Sequence, residues 1–178
     1  VLGISLGLGA HSQSDLSHVI LDELITETQI SVGGQDELGL IWVIPIEFWI
    51  VSFIGDSSIT EDQREAIEET LEPYYIVAIA DGDLGMFGGV TYTSEEEIRE
   101  SLEVTIDGSV HAPLKESYLS PDLQVMLASF KPVLGSMLGA MGENMHFYVF
   151  NDRNAKDKRI MKPYEFGQNI EIDFLDKK

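Results

Sequence analysis

Cysteine is absent from this chain, and cations are nearly absent from its first 107 positions, which hold only Arg64 and Arg99. The missing thiol excludes disulfide frameworks, Cys-type zinc sites, thiol nucleophiles and a lipid-anchored cysteine. It leaves the redox compartment open. The shortage of cations excludes a different set of partners. Residues 1–107 carry 22 acidic side chains and account for the whole net charge of −20, whereas residues 108–178 carry nine of each sign. Such a surface repels nucleic acid and anionic lipid and attracts cations and basic partners. Solubility is its simplest use.

A long hydrophobic run is missing too. The most apolar stretch, LIWVIPIEFWIVSFI, covers residues 40 to 54 and holds Pro45 and Glu47 near its middle. A bilayer-spanning helix needs about 20 apolar residues. A charge near the bilayer centre costs about 2.5–3.5 kcal/mol. The stretch is therefore not a span. Its Ile, Val, Trp and Phe content is that of strands, and Pro45, which has no N–H to donate, marks an edge position or a bulge. The pattern predicts two strands, 40–44 and 46–54. Glu47 is the one ionisable residue among them: buried, it is a site candidate; on an edge beside Pro45, it is half solvated.

What is present fits one domain. A chain of this length buries roughly 70% of the surface its unfolded form exposes, so it needs no metal or disulfide to fold. We find no internal repeat, linker or low-complexity segment. The opening, VLGISLGLGAHSQS, is apolar and rich in small residues, and Ala10-His11-Ser12 fits the small-x-small pattern of a signal-peptidase site. We expect residues 1–12 to be a signal-peptide remnant and 13–178 to be the folded domain, with the mature chain starting near Gln13. Segment 15–31 suits helix and strand equally.

Further along, Thr60-Glu-Asp-Gln63 and Ser94-Glu-Glu-Glu97 are capping boxes. They predict helices over 61–71 and from 95 to about Leu102, the first stopped by Pro73. Tyr74–Ala80 reads as a strand. Asp107-Gly108 between alternating residues is a hairpin signal, joining 104–106 to 110–114. Ser120-Pro121 opens a further helix, which Pro132 kinks or restarts and Gly142 ends. Strands follow over 145–150, 159–166 and 168–175. About seven strands and three helices without regular alternation favour an antiparallel sheet system. The fold expected is mainly β (α+β): an antiparallel immunoglobulin-like β-sandwich with inserted helices.

No strong catalytic motif appears. His11, His18, His111 and His146 show no zinc spacing, and no HExxH or GxSxG is present. Gly82, Gly85 and Gly88 miss the dinucleotide spacing, and Asp81 and Asp83 stand where phosphate would lie. Those two aspartates could serve as hard oxygen ligands for Ca²⁺, although an acidic turn accounts for them equally. Met137, Met141 and His146 offer soft sulfur and imidazole suited to Cu(I), although core packing also explains the methionines. Gly135 and Gly139 form a GxxxG, which we read as close contact between helix and sheet. Five of the eleven basic residues fall between Arg153 and Lys162; they form a solvated hairpin tip or an anionic contact site.

The reading that results is an exported, non-catalytic binding or interaction domain, secreted or periplasmic, with no cofactor. Its partner is a protein or small ligand, not nucleic acid. The alternatives are an envelope protein binding Ca or Cu, and a hydrolase with a dispersed active site.

Overall fold

A computed structural model describes residues 13–34, 36–54, 59–162 and 168–175. The elements are α1 (Gln13–Thr28), β1 (Gln29–Val32), β2 (Glu37–Ile44), α2 (Ile46–Ile54), α3 (Glu61–Leu71), β3 (Tyr74–Leu84), β4 (Val90–Tyr92), α4 (Glu95–Ser101), β5 (Glu103–Ile106), β6 (Ser109–His111), α5 (Pro121–Leu138), α6 (Ala140–Glu143), β7 (His146–Asn151) and β8 (Ile170–Asp173). The fold is α+β with antiparallel sheets. At 41% helix against 32% strand it is not mainly β.

β3 is the spine. Its Ile76, Ala78 and Ala80 join one apolar cluster, and its Tyr75, Val77 and Ile79 join another. Successive side chains of a strand point to opposite faces, so β3 is buried on both. β2 runs along one side of it and β7 along the first half of the other, with β4 taking over at Gly82. β1 extends the sheet beyond β2. The first cluster packs Leu24 of α1, Phe48 and Trp49 of α2, Leu71 of α3 and Leu123, Leu127 and Leu134 of α5 on one face. The second packs the other face against the three-stranded sheet β6-β5-β8, with Ile98 of α4. The layers run helices, large sheet, small sheet.

The main correction lies in the apolar stretch. The strand expected over 40–44 forms and begins earlier, at Glu37, but 46–54 form helix α2. Pro45 ends β2 because it cannot continue the ladder, and its carbonyl accepts from Phe48 N at 3.1 Å as the helix begins. A run apolar on every side carries no period to separate strand from helix. Aromatic packing decides instead: the Phe48 ring meets Trp42 at 4.7 Å and Trp49 at 5.7 Å, and Trp49 meets Phe130 at 4.8 Å. The Trp42 indole N–H donates to Thr28 Oγ1 at 3.0 Å, so its one polar atom is satisfied. Glu47 is half-buried in the first turn of α2.

Local signals fared better. Both capping boxes form. The β5–β6 turn places Asp107 and Gly108 at φ 49° and 79°, the backbone that Asp-Gly favours in two-residue hairpins. The helix beginning at Pro121 runs unbroken through Pro132 and stops at Gly139, three residues before the expected end. The strand expected over 159–166 is represented by a single Arg153↔Arg159 bridge, and 163–167 lie outside the described residues. The signal remnant at 1–12, with His11, lies outside them as well. Among the described residues no helix is long and apolar enough to cross a membrane.

Candidate functional site

The basic segment builds the wall of a cleft. After β7 the chain folds back on itself around Asp152, which is 0% exposed. Its Oδ2 accepts from Arg159 Nε at 2.7 Å, and its Oδ1 accepts from Ile160 N at 3.1 Å and Met161 N at 2.6 Å. Asn154 N donates to Lys158 O at 3.0 Å, and Asp157 turns the loop at φ 57°. Arg153 is thereby set opposite Arg159. Facing them is the β5–β6 hairpin with Asp107, Ser109 and His111. The cleft between has a volume of about 390 Å³. Lys162 spans it, with Nζ 3.2 Å from Asp107 Oδ2, and Arg153 pairs with Glu72 outside it. Behind the cleft, the Tyr75 ring stacks on Phe150 at 4.8 Å and meets the His111 ring edge-on at 6.4 Å. Tyr75 is only 3% exposed. Its hydroxyl and His111 Nε2 are buried and lack hydrogen-bond partners among the described residues. Burial first, and the charge of Asp152 second, push the Tyr75 phenol well above its usual range, so it stays protonated.

A second cavity of about 250 Å³ lies at the start of β7, bordered by Glu95, Arg99, Lys131 and His146. Glu95 Oε2 stands 3.5 Å from His146 Nδ1, and Arg99 is fixed by Glu95 Oε1 at 2.6 Å and Leu114 O at 3.1 Å. The guanidinium lies 5.1 Å from the centre of the Tyr148 ring, a cation–π distance. Burial first, then Lys131, lowers the His146 pKa below 6.5, with Glu95 opposing. Burial raises the Tyr148 phenol.

The residues singled out in the sequence fall in separate places. Asp81 and Asp83 both belong to β3 rather than to a loop. Asp81 is buried; its Oδ2 accepts from Thr93 Oγ1 at 2.8 Å, and its carboxylate lies over Gly39, where a Cβ would come within 3.4 Å of Oδ1. Asp83 is exposed. Met137 is exposed on α5, Met141 is half-buried against the helix-side cluster, and His146 begins β7 on the face carrying Tyr148 and Phe150. Gly139, at φ 60° and ψ −138°, ends α5 between the two methionines, so no continuous helix aligns them. Among the described residues no group of three or more His, Cys, Asp or Glu is disposed to hold a metal ion.

One feature went unremarked in the sequence. The β3–β4 connection closes tightly: Gly88 N donates to Gly85 O at 2.8 Å, and Gly85 N donates to Gly89 O at 2.7 Å. Gly88 takes φ 81°, the left-handed position of a three-residue hairpin loop. The two central positions, usually polar, are Met86 and Phe87, which are 95% and 101% exposed. The signal was there to find: an apolar pair centred in a glycine-flanked turn. Comparison with protein-family models, curated proteins and solved structures returned no match for the chain.

Proposed function

We propose that this chain is an exported, non-catalytic interaction domain that inserts its β3–β4 hairpin tip into a partner. The full exposure of Met86 and Phe87 on a closed turn carries the reading. Scattered surface apolar residues are ordinary. Two of them at the tip of a turn held by its own hydrogen bonds are different, because the backbone is already ordered and little entropy is lost on docking. Asp36, Glu37 and Asp83 surround the base of the tip and are exposed. The partner that fits is a protein with an apolar pocket and a basic rim. Export rests on the apolar, small-residue pattern of positions 1–12. The face-to-face packing of two antiparallel sheets supports an immunoglobulin-like reading of that pair of layers, with the helices added on the outside of the larger sheet. The Glu95–His146 pair in its cavity favours a second reading, a hydrolase using His146 as base; among the described residues no serine borders that cavity.

The test is a photo-crosslinking amino acid at position 87, in cells of the source organism. One defined protein adduct is expected. Phe87→Ser should weaken that partner's binding by about 2 kcal/mol or more while leaving the melting temperature unchanged. Loss of folding, or partner binding equal to that of the parent, would sink the proposal.

A further inference from the structure

The loop after β7 consumes its own acceptors and leaves donors over. Asn151 Oδ1 accepts from Arg153 N at 3.1 Å; Asn154 Oδ1 accepts from Lys156 N at 2.8 Å and Lys158 N at 3.1 Å. A backbone donor thus fixes each amide oxygen, and each amide NH₂ has no partner among the described residues. Arg159 meets Asp152 through Nε alone, which leaves its two terminal nitrogens. Across the cleft stand His111 Nε2 and, behind it, the Tyr75 hydroxyl, both buried and without partners among the described residues. An ionised guanidinium or ammonium and an amide NH₂ donate and never accept. The amides of Asn151 and Asn154 are exposed and open to water; His111 Nε2 and the Tyr75 hydroxyl are buried, and a buried polar atom left unmade costs about 1–3 kcal/mol. The Arg153↔Arg159 bridge adds to this, because like charges opposite one another across strands destabilise. Glu72 and Asp152 offset part of that repulsion.

We infer that the cleft binds a small oxyanion, a phosphate or carboxylate group carried on a polar organic body. Several convergent donors match several oxygens on one centre. At about 390 Å³ the space exceeds that of an inorganic ion, since a water in the liquid takes roughly 30 Å³. The ligand must be compact. A chain of net charge −20 repels an extended polyanion, whereas the loop cations dominate within a Debye length, about 8 Å at physiological salt. The same field makes saturable anion binding elsewhere on the molecule unfavourable. This site is separate from the hairpin tip and stands or falls without it.

Titration calorimetry and the ring NMR signals of His111 test the inference, using the whole chain at matched ionic strength in chloride. The probes are inorganic phosphate, glycerol 1-phosphate and citrate, with phosphatidic acid vesicles as a separate arm. One-to-one saturable binding of at least one soluble probe is expected, with movement of the His111 signals. Binding should weaken about tenfold in Arg153→Gln/Lys162→Gln, a pair of changes on the loop surface whose folding is checked by melting. Asn154→Asp, which keeps the turn's acceptor and replaces the donor by a charge, should weaken it likewise. Binding confined to the vesicles, with the same dependence on these variants, assigns the oxyanion to a lipid headgroup. No saturation and no His111 movement with any probe, or undiminished binding in both variants, overturns the inference. Phe87→Ser should leave these titrations unaltered, so failure of the tip proposal is read separately.

Discussion

At the scale of single residues, the informative groups are polar ones held in apolar surroundings. Asp152 is buried yet fully engaged, and it converts a polar, charged segment into a fixed loop. Nothing in its local sequence announces this, because its partners are Arg159 and the backbone at Ile160 and Met161. His146 is the opposite case. Its Nδ1 is buried, with the Glu95 carboxylate 3.5 Å away, and burial lowers its pKa from 6.5. A folded pKa below the unfolded value means that the native state disfavours the proton. The neutral ring therefore contributes its full stability above about pH 6.5, and that contribution is lost as pH falls through the lowered folded pKa. His146→Gln should flatten the fall in melting temperature between neutral and mildly acid pH. Glu95→Gln, which removes the opposing carboxylate, should steepen it. Equal pH profiles for all three proteins would refute the assignment.

At the scale of elements, glycine shows how a spacing is misread. Gly135 and Gly139 suggested a close contact of helix with sheet. The contact is instead between α5 and α6, and its residue is Gly142, where an added Cβ would overlap the Leu134 carbonyl and come within 2.9 Å of Gly135 N. Backbone cannot yield as a side chain can. Gly142→Ala should cost about 1–3 kcal/mol and lower the melting temperature by several degrees. Gly135→Ala meets the flexible Glu143 side chain at 3.2 Å, with the Glu143 backbone N at an ordinary 4.0 Å, and should be neutral or mildly stabilising, since Ala is the better helix former by up to about 1 kcal/mol. Equal melting of the two variants would contradict the packing. Helix α5 also survives Pro132, a residue type that costs about 3 kcal/mol in a helix interior. Leu127 and Leu134 are buried on either side of it, while Pro132 and Ala128 are exposed, so water can serve the carbonyl that lost its donor.

At the scale of the whole molecule, charge and layering work against each other. The net −20 is carried by residues 1–107, which build the helices α1 to α4 and most of the large sheet. Self-repulsion of that order destabilises the compact state. Raising NaCl from low concentration to about 0.15 M, where the Debye length falls to about 8 Å, should raise the melting temperature measurably. A flat or falling curve would show that local ion pairs, not net repulsion, set the response. Burial on both faces of β3 is what withstands the repulsion: every residue from Tyr75 to Ala80 is buried.

The sequence by itself determined what depends on neighbours within a few positions. Thr60 and Gln63, Ser94 and Glu97, and Asp107 and Gly108 specify their caps and turn by local hydrogen bonding and backbone preference, whatever surrounds them. The acidic balance and the want of thiols were likewise complete in the sequence. Tertiary structure alone decided the state of residues 46–54, because a segment apolar all round has equal reason to be strand or helix until Trp42 and Phe130 supply its neighbours. It alone brought His111 and Tyr75 behind a loop about 40 residues further on than His111, since chain proximity carries no record of which distant donors a fold will leave facing one another.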